Sequence, residues 1–191
     1  MASPYLSDAA SFLITTIFDL YILVVMLRLL FQLVRADFYN PVSQFVIKLT
    51  TPPLRFLRRF IPGFGGVDVA SLVLMLGLKV VERWLVLGIQ GIAAGPVAVV
   101  VLAVADLLSL LINIYIVSIL AQVILSWVAP ATYNPLSALL HDLNDPVTRP
   151  ARRLLPPVAG WDLSPILVLV ALQLASMLLV APIRDFGRGF L

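Results

Sequence analysis

The chain has 191 residues, of which 61% are hydrophobic and 12% charged, with a formal net charge of +3 and a mean hydropathy of +1.06. Ordinary soluble domains are about a quarter charged, so a single soluble core with a polar surface is excluded. Cysteine is absent, which removes disulfides and thiolate metal sites from consideration.

The N-terminal residues Met1 to Asp8 lack the basic region of a cleaved secretory signal. The first apolar run is therefore expected to be a retained span. A bilayer-crossing helix needs about 20 mostly apolar residues. Four stretches meet that requirement: Phe12–Val34, Val67–Leu87, Asp106–Val128 and Trp161–Ala181. The first is expected to extend back towards Ser7 and the third towards Val97, beyond the hydrocarbon. Gly91 to Pro96 breaks the chain between the second and third spans. A five-span division of Leu85–Val128 is the alternative, and it breaks the internal symmetry described next.

The segment from Tyr39 to Asp68 returns from Tyr133 to Asp162, 94 positions later and without a gap. Asn40/Asn134, Pro41/Pro135, Pro52/Pro146, Arg55/Arg149, Arg58/Arg152, Arg59/Arg153, Pro62/Pro156, Gly66/Gly160 and Asp68/Asp162 are identical pairs. Such self-similarity marks a repeated structural unit. The predicted fold is an all-α membrane protein of two units, residues 1–94 and 95–191, each a helical hairpin with an amphipathic helix in its connecting loop. Two spans per unit make the units parallel repeats. Lysine and arginine concentrate in the two loops, which places both loops in the cytoplasm and both termini in the periplasm of a bacterial inner membrane. Arg184 and Arg188 run against that orientation.

Asn40 and Asn134 are expected to cap the loop helices, with proline at the first helical position. Val42, Phe45, Val46 and Leu49, and likewise Leu136, Leu139, Leu140 and Leu143, recur at helical spacing. These apolar faces are expected to lie on the headgroup boundary. Pro52 and Pro146 are predicted to end the helices. A further turn then carries Arg55, Arg58 and Arg59, or Arg149, Arg152 and Arg153, on one face. These arginines either enforce topology or bind anionic lipid or an acidic partner. No recognisable fold or aromatic platform accompanies them, so nucleic acid is not an expected partner. Asp68 and Asp162 are expected to cap the spans that follow.

Ionisable groups inside spans are site candidates by default. Asp19 stands seven residues from the outer end of the first span and Lys79 eight from that of the second, about 10 Å and about 12 Å deep. They are predicted to meet. Their counterparts, Asn113 and Gln173, are predicted to form a neutral contact at the same depth. Lys79 and Glu82 are spaced for a local pair. Arg83 near the outer boundary is expected to snorkel. The single histidine, His141, sits on the polar side of a loop helix, and no hydrolase, metalloprotease or phosphate-loop pattern is present. No enzyme activity and no cofactor are expected.

The pattern Asn-Pro…Pro…Arg-x-x-Arg-Arg…Pro…Gly…Asp resembles the signature of the YggT family, also called YlmG, of bacterial and plastid membrane proteins. The first copy departs from it at Asp68-Val69-Ala70-Ser71, where the second reads Asp162-Leu163-Ser164-Pro165. The resemblance covers essentially the whole chain. It implies roles in division, envelope stress, osmotic tolerance or assembly of membrane complexes, and it brings no catalytic residues. The expected function is a non-enzymatic scaffold or assembly factor contacting anionic lipid, a membrane-protein partner or a second copy. The alternative is an oligomeric channel or transporter, with Asp19, Lys79 and Asp106 lining a polar route.

Overall fold

A computed structural model describes residues 4–128, 134–155 and 162–190. Tyr133, Pro156, Gly160 and Trp161, which the repeat pairs with first-half residues or the fourth span begins on, lie outside the described residues. The described chain is helical: α1 (Pro4–Leu33), α2 (Pro41–Leu57), α3 (Val69–Ile89), α4 (Pro96–Val128), α5 (Pro135–Leu154), α6 (Ser164–Ala175) and α7 (Ala181–Arg188), with a π-helical turn, Ser176–Val180, joining the last two.

Three stretches are long and apolar enough to cross a membrane: Tyr5–Leu33, Pro96–Val128 and Ser164–Arg188. α3 has 21 residues but carries Lys79, Glu82 and Arg83 in its second half, and this charge sets it apart from the other three. α1 starts at Pro4 and α4 at Pro96, so both extend back beyond the expected spans, as anticipated towards Ser7 and Val97. The last helical stretch continues to Arg188 instead of ending at Ala181. Proline at the first helical position starts both α1 and α4, where its missing N–H costs nothing.

Helix ends follow local chemistry. Arg35 takes a left-handed conformation (φ 54°) after α1, and Ala36 N–H closes back onto Phe31 C=O at 2.9 Å. Gly91 (φ 71°) ends α3 by the same closure, Ile92 N–H to Leu87 C=O at 2.9 Å. Glycine suits that conformation and arginine does not.

The loop helices correct one expectation. α2 runs through Pro52 and Pro53, and α5 through Pro146 and Pro150. Pro52 and Pro53 take the i+4 donors from the Lys48 and Leu49 carbonyls, and side chains brace the turn just before them. Thr50 and Thr51 hydroxyls donate to the Val46 and Ile47 carbonyls at 2.7 and 2.6 Å. Arg28 donates to the Ile47 carbonyl as well, at 3.2 Å. In consequence Arg55 and Arg149 ride on the loop helices themselves, not on a separate turn.

The core forms where α1, α3, α4 and α5 meet. Ile22, Val25, Met26 and Leu29 of α1 pack with Met75, Ile114 and Leu143. A smaller cluster of Ile119, Ala151 and Val168 joins α4, α5 and α6. α7 approaches α4 closely, because Gly187 presents no side chain there. A Cβ at that position would stand 3.0 Å from Val101 Cγ1 and 3.1 Å from Leu102 Cδ2.

Candidate functional site

Both loops begin alike. Asn40 Oδ1 accepts the Val42 N–H and Asn134 Oδ1 the Leu136 N–H, each at 3.0 Å. These are the expected caps. Asn40 also donates its amide to the Pro135 carbonyl at 2.6 Å, joining the starts of α2 and α5.

The three arginines of each loop have different tasks. Arg58 pairs with Asp68, Nη2 to Oδ2 at 2.6 Å and Nε to Oδ1 at 3.4 Å. Arg152 pairs with Asp162, Nε to Oδ2 at 2.9 Å. The contact thus occurs at the same two positions of each repeat. It clasps the end of a loop helix to the start of the next helix. Arg58 and Arg152 are therefore engaged internally rather than free for lipid. Arg55, Arg59, Arg149 and Arg153 are exposed and have no ion pair among the described residues. Beside them Phe56 and Phe60, in edge-to-face contact at 5.4 Å, and Leu154 are exposed too.

The aspartates differ in how they serve the helix ends. Asp68 precedes α3 but makes no side-chain cap; Ser71 Oγ donates to Asp68 Oδ2 at 2.5 Å. Its carboxylate is held by the charged Arg58 donor and by the Ser71 hydroxyl. Asp162 accepts the Ser164 N–H at 2.9 Å and so does act at the start of α6. Burial works to raise the pKa of both groups. Hydrogen bonds from Arg58 and Ser71, or from Ser164 and Arg152, with the arginine charge, outweigh it and hold both below the usual carboxylate range.

A second repeated contact ties each long helix to its loop helix. Arg28 Nη1 donates to Thr50 Oγ1 at 2.7 Å, and Asn144 Nδ2 donates to Gln122 Oε1 at 2.7 Å. Ser118 Oγ adds a donor to Asn144 Oδ1 at 2.6 Å. Neither contact is among those predicted from the sequence. The signal was present, because Arg28/Gln122 and Thr50/Asn144 are both repeat-equivalent and polar.

On the far side of α1 from the loops lies a cavity of about 580 Å³ walled by α1, α3, α4 and α7. Six charged side chains line it: Asp19, Lys79, Glu82, Arg83, Asp106 and Arg184. Lys79 Nζ lies 2.6 Å from Asp19 Oδ1 and 2.7 Å from Glu82 Oε2. Asp19 and Lys79 thus meet as predicted, and the local Lys79–Glu82 pair joins them. Arg83 does more than snorkel. Its Nε donates to Asp106 Oδ2 at 2.6 Å, and Arg184 Nη2 reaches Asp106 Oδ1 at 3.4 Å. Asp106 therefore links an arginine of the first half to one of the second. Their repeat counterparts, Phe12 and Gln90, are uncharged, so internal symmetry gave no hint of this triad.

The neutral counterpart contact is not formed. Asn113 lines the cavity and Gln173 is exposed, with no hydrogen bond between them. In the second half the charged contact is that of Arg184 with Asp106. His141 is exposed on α5. Among the described residues no group of three or more His, Cys, Asp or Glu side chains is placed to hold a metal ion.

The CCB3/YggT family matches this chain twice, over residues 7–89 and 101–183. Both ends of the second match lie 94 positions beyond those of the first, the same offset as the repeat. An uncharacterized protein of Pseudomonas aeruginosa is 44% identical over 177 residues, covering 92% of this chain and 90% of its own. The uncharacterized protein YggT of Escherichia coli K12 is 36% identical over 187 residues, covering 96% of each. An uncharacterized Vibrio alginolyticus protein is 37% identical over 174 residues, with 90% of this chain and 94% of its own covered. No solved structure matches. With two tandem matches spanning most of its length and relatives aligned nearly end to end, the chain belongs to the CCB3/YggT family.

Proposed function

We propose that this protein is a four-span, non-enzymatic component of the bacterial inner membrane, a scaffold or assembly factor whose repeated loops grip anionic lipid headgroups or an acidic partner. α3 serves as the fourth span in this reading. Its three charges are all paired, which offsets the cost of placing them in the membrane. α2 and α5 lie along the cytoplasmic headgroups, and both termini face the periplasm.

The division of the arginines carries the proposal. Each repeat uses one arginine to close its own loop and leaves two exposed beside apolar side chains. A charge enforcing topology alone has no need of Phe56, Phe60 and Leu154 next to it. Each basic residue near an anionic leaflet contributes about 1 kcal/mol, so Arg55, Arg59, Arg149 and Arg153 together supply about 4 kcal/mol.

The experiment is lipid retention by the purified protein, read by native mass spectrometry. Replacing these four arginines by glutamine should remove most bound anionic lipid. Retention at the wild-type level would reject the reading. The cavity of about 580 Å³ favours a second reading, an oligomeric channel or transporter. The pairing of all six of its charges weighs against an ion route. Flux in proteoliposomes tests it.

A further inference from the structure

Two triads of opposite net charge share the cavity wall. Asp19, Lys79 and Glu82 combine two carboxylates with one ammonium, leaving a net negative charge. Arg83, Asp106 and Arg184 combine two guanidiniums with one carboxylate, leaving a net positive charge.

What a ligand meets is more sharply divided still. In the first triad the Lys79 and Glu82 side chains are only 8% and 3% exposed, while Asp19 is 46% exposed. In the second, Asp106 is 11% exposed and the arginines 30% and 35%. The accessible charges are thus an acid on one side and two guanidiniums on the other. Thr15, Thr16, Ser109 and Asn113 add neutral hydrogen-bonding groups to the same wall. A bare anion entering would face Asp19, and a bare cation would face Arg83 and Arg184. A group bearing both charges satisfies both triads.

We propose that this cavity binds a zwitterionic group, an ammonium joined to a carboxylate or phosphate, with the ammonium against Asp19 and the anion against Arg83 and Arg184. The volume falls within the range of about 300–1,000 Å³ typical of small-molecule sites. Two sources share this chemistry, a free amino-acid-like solute and the headgroup of an aminophospholipid. Occupancy of the cavity is independent of whether the arginine loops hold lipid.

The test uses the full chain in nanodiscs of phosphatidylglycerol alone, which supply no zwitterion. Equilibrium binding is measured for glycine and glycerophosphoethanolamine, with ethanolamine and glycerol phosphate as singly charged controls. At least one zwitterion should bind saturably and at least about tenfold more tightly than either control. Saturable glycine binding identifies a free solute as a source; binding of glycerophosphoethanolamine without glycine identifies the lipid headgroup. Asp19→Asn and Arg184→Gln should each weaken binding at least about fivefold while far-ultraviolet circular dichroism is unchanged. If neither zwitterion binds, or a control binds as tightly, the proposal fails. The ligand series on the unmodified protein decides the matter should a variant not fold.

Discussion

Asn144 donates a hydrogen bond to Gln122 at the two positions where the first repeat joins Thr50 to Arg28. The partners differ in chemistry and the donor lies on opposite helices, yet each contact fixes a loop helix to the long helix before it. Asn144 is fully buried, and its carboxamide also accepts from Ser118. Asn144→Ala would leave the Gln122 side-chain carbonyl without its donor, while Ser118 keeps the Tyr115 carbonyl, a loss of about 1–3 kcal/mol. Thr50→Val should cost less, because Arg28 keeps Thr51 and the Ile47 carbonyl. Unfolding midpoints of the two variants in detergent compare the losses directly.

The clasps should respond unequally to mutation and to pH. Asp68 is buried and Asp162 is about one-third exposed. Arg58→Gln would strand a buried carboxylate, at a cost of about 1–3 kcal/mol after allowing for an arginine that is itself partly exposed. Arg152→Gln should cost below about 1 kcal/mol. Both aspartates have lowered pKa values in the folded state. Their stabilisation is therefore present above the ordinary carboxylate pKa and disappears as pH falls through the lowered values. Asp68→Asn should flatten the acid side of the stability profile, measured as the unfolding midpoint between neutral and strongly acid pH.

Asp19→Asn should change stability by less than about 1 kcal/mol, since a partly exposed pair contributes little and Lys79 keeps Glu82. Glu82→Gln removes the buried partner and should cost several times more. Equal losses in a chemical-denaturation comparison would mean that Asp19 carries the triad.

Much of this was legible in the sequence, for a specific reason. The Asp19–Lys79 contact follows from counting residues inward along two apolar runs, and the Asn40 and Asn134 caps follow from Asn-Pro. Repeat logic failed where the halves diverge. Gln173 inherits the position of Lys79 but not its surroundings: it is exposed, and the second half places its charges at Asp106 and Arg184 instead. Proline at 52 and 146 reads as a stop in isolation, yet both loop helices run on past it; in α2 the turn before Pro52 is held by threonine hydroxyls and by Arg28, distant in sequence. Arg58 and Arg152 read as surface charges because their aspartate partners lie ten residues on in the sequence.

The absence of cysteine allows a direct test of orientation. Arg55→Cys and Arg149→Cys each introduce a unique thiol on an exposed loop-helix position. If the two halves are parallel repeats, a membrane-impermeant maleimide should label both from the same side of sealed vesicles. Labelling of the two from opposite sides would reject the four-span arrangement.

The hold of Arg184 on Asp106 rests on how closely α7 can lie against α4. Gly187 makes that approach possible, and Arg184 lies one helical turn earlier on the same short helix. Asp106→Ala would leave two neighbouring guanidiniums without their shared carboxylate, and should cost about 2–4 kcal/mol. Gly187→Val acts from the other direction: its branched side chain must displace Val101 or Leu102, which pushes α7 outward and draws Arg184 from Asp106. The double variant Gly187→Val with Arg184→Gln should then lose less than the two single losses added together, because they remove one contact. Additive losses in a double-mutant cycle would separate the glycine from the ion pair.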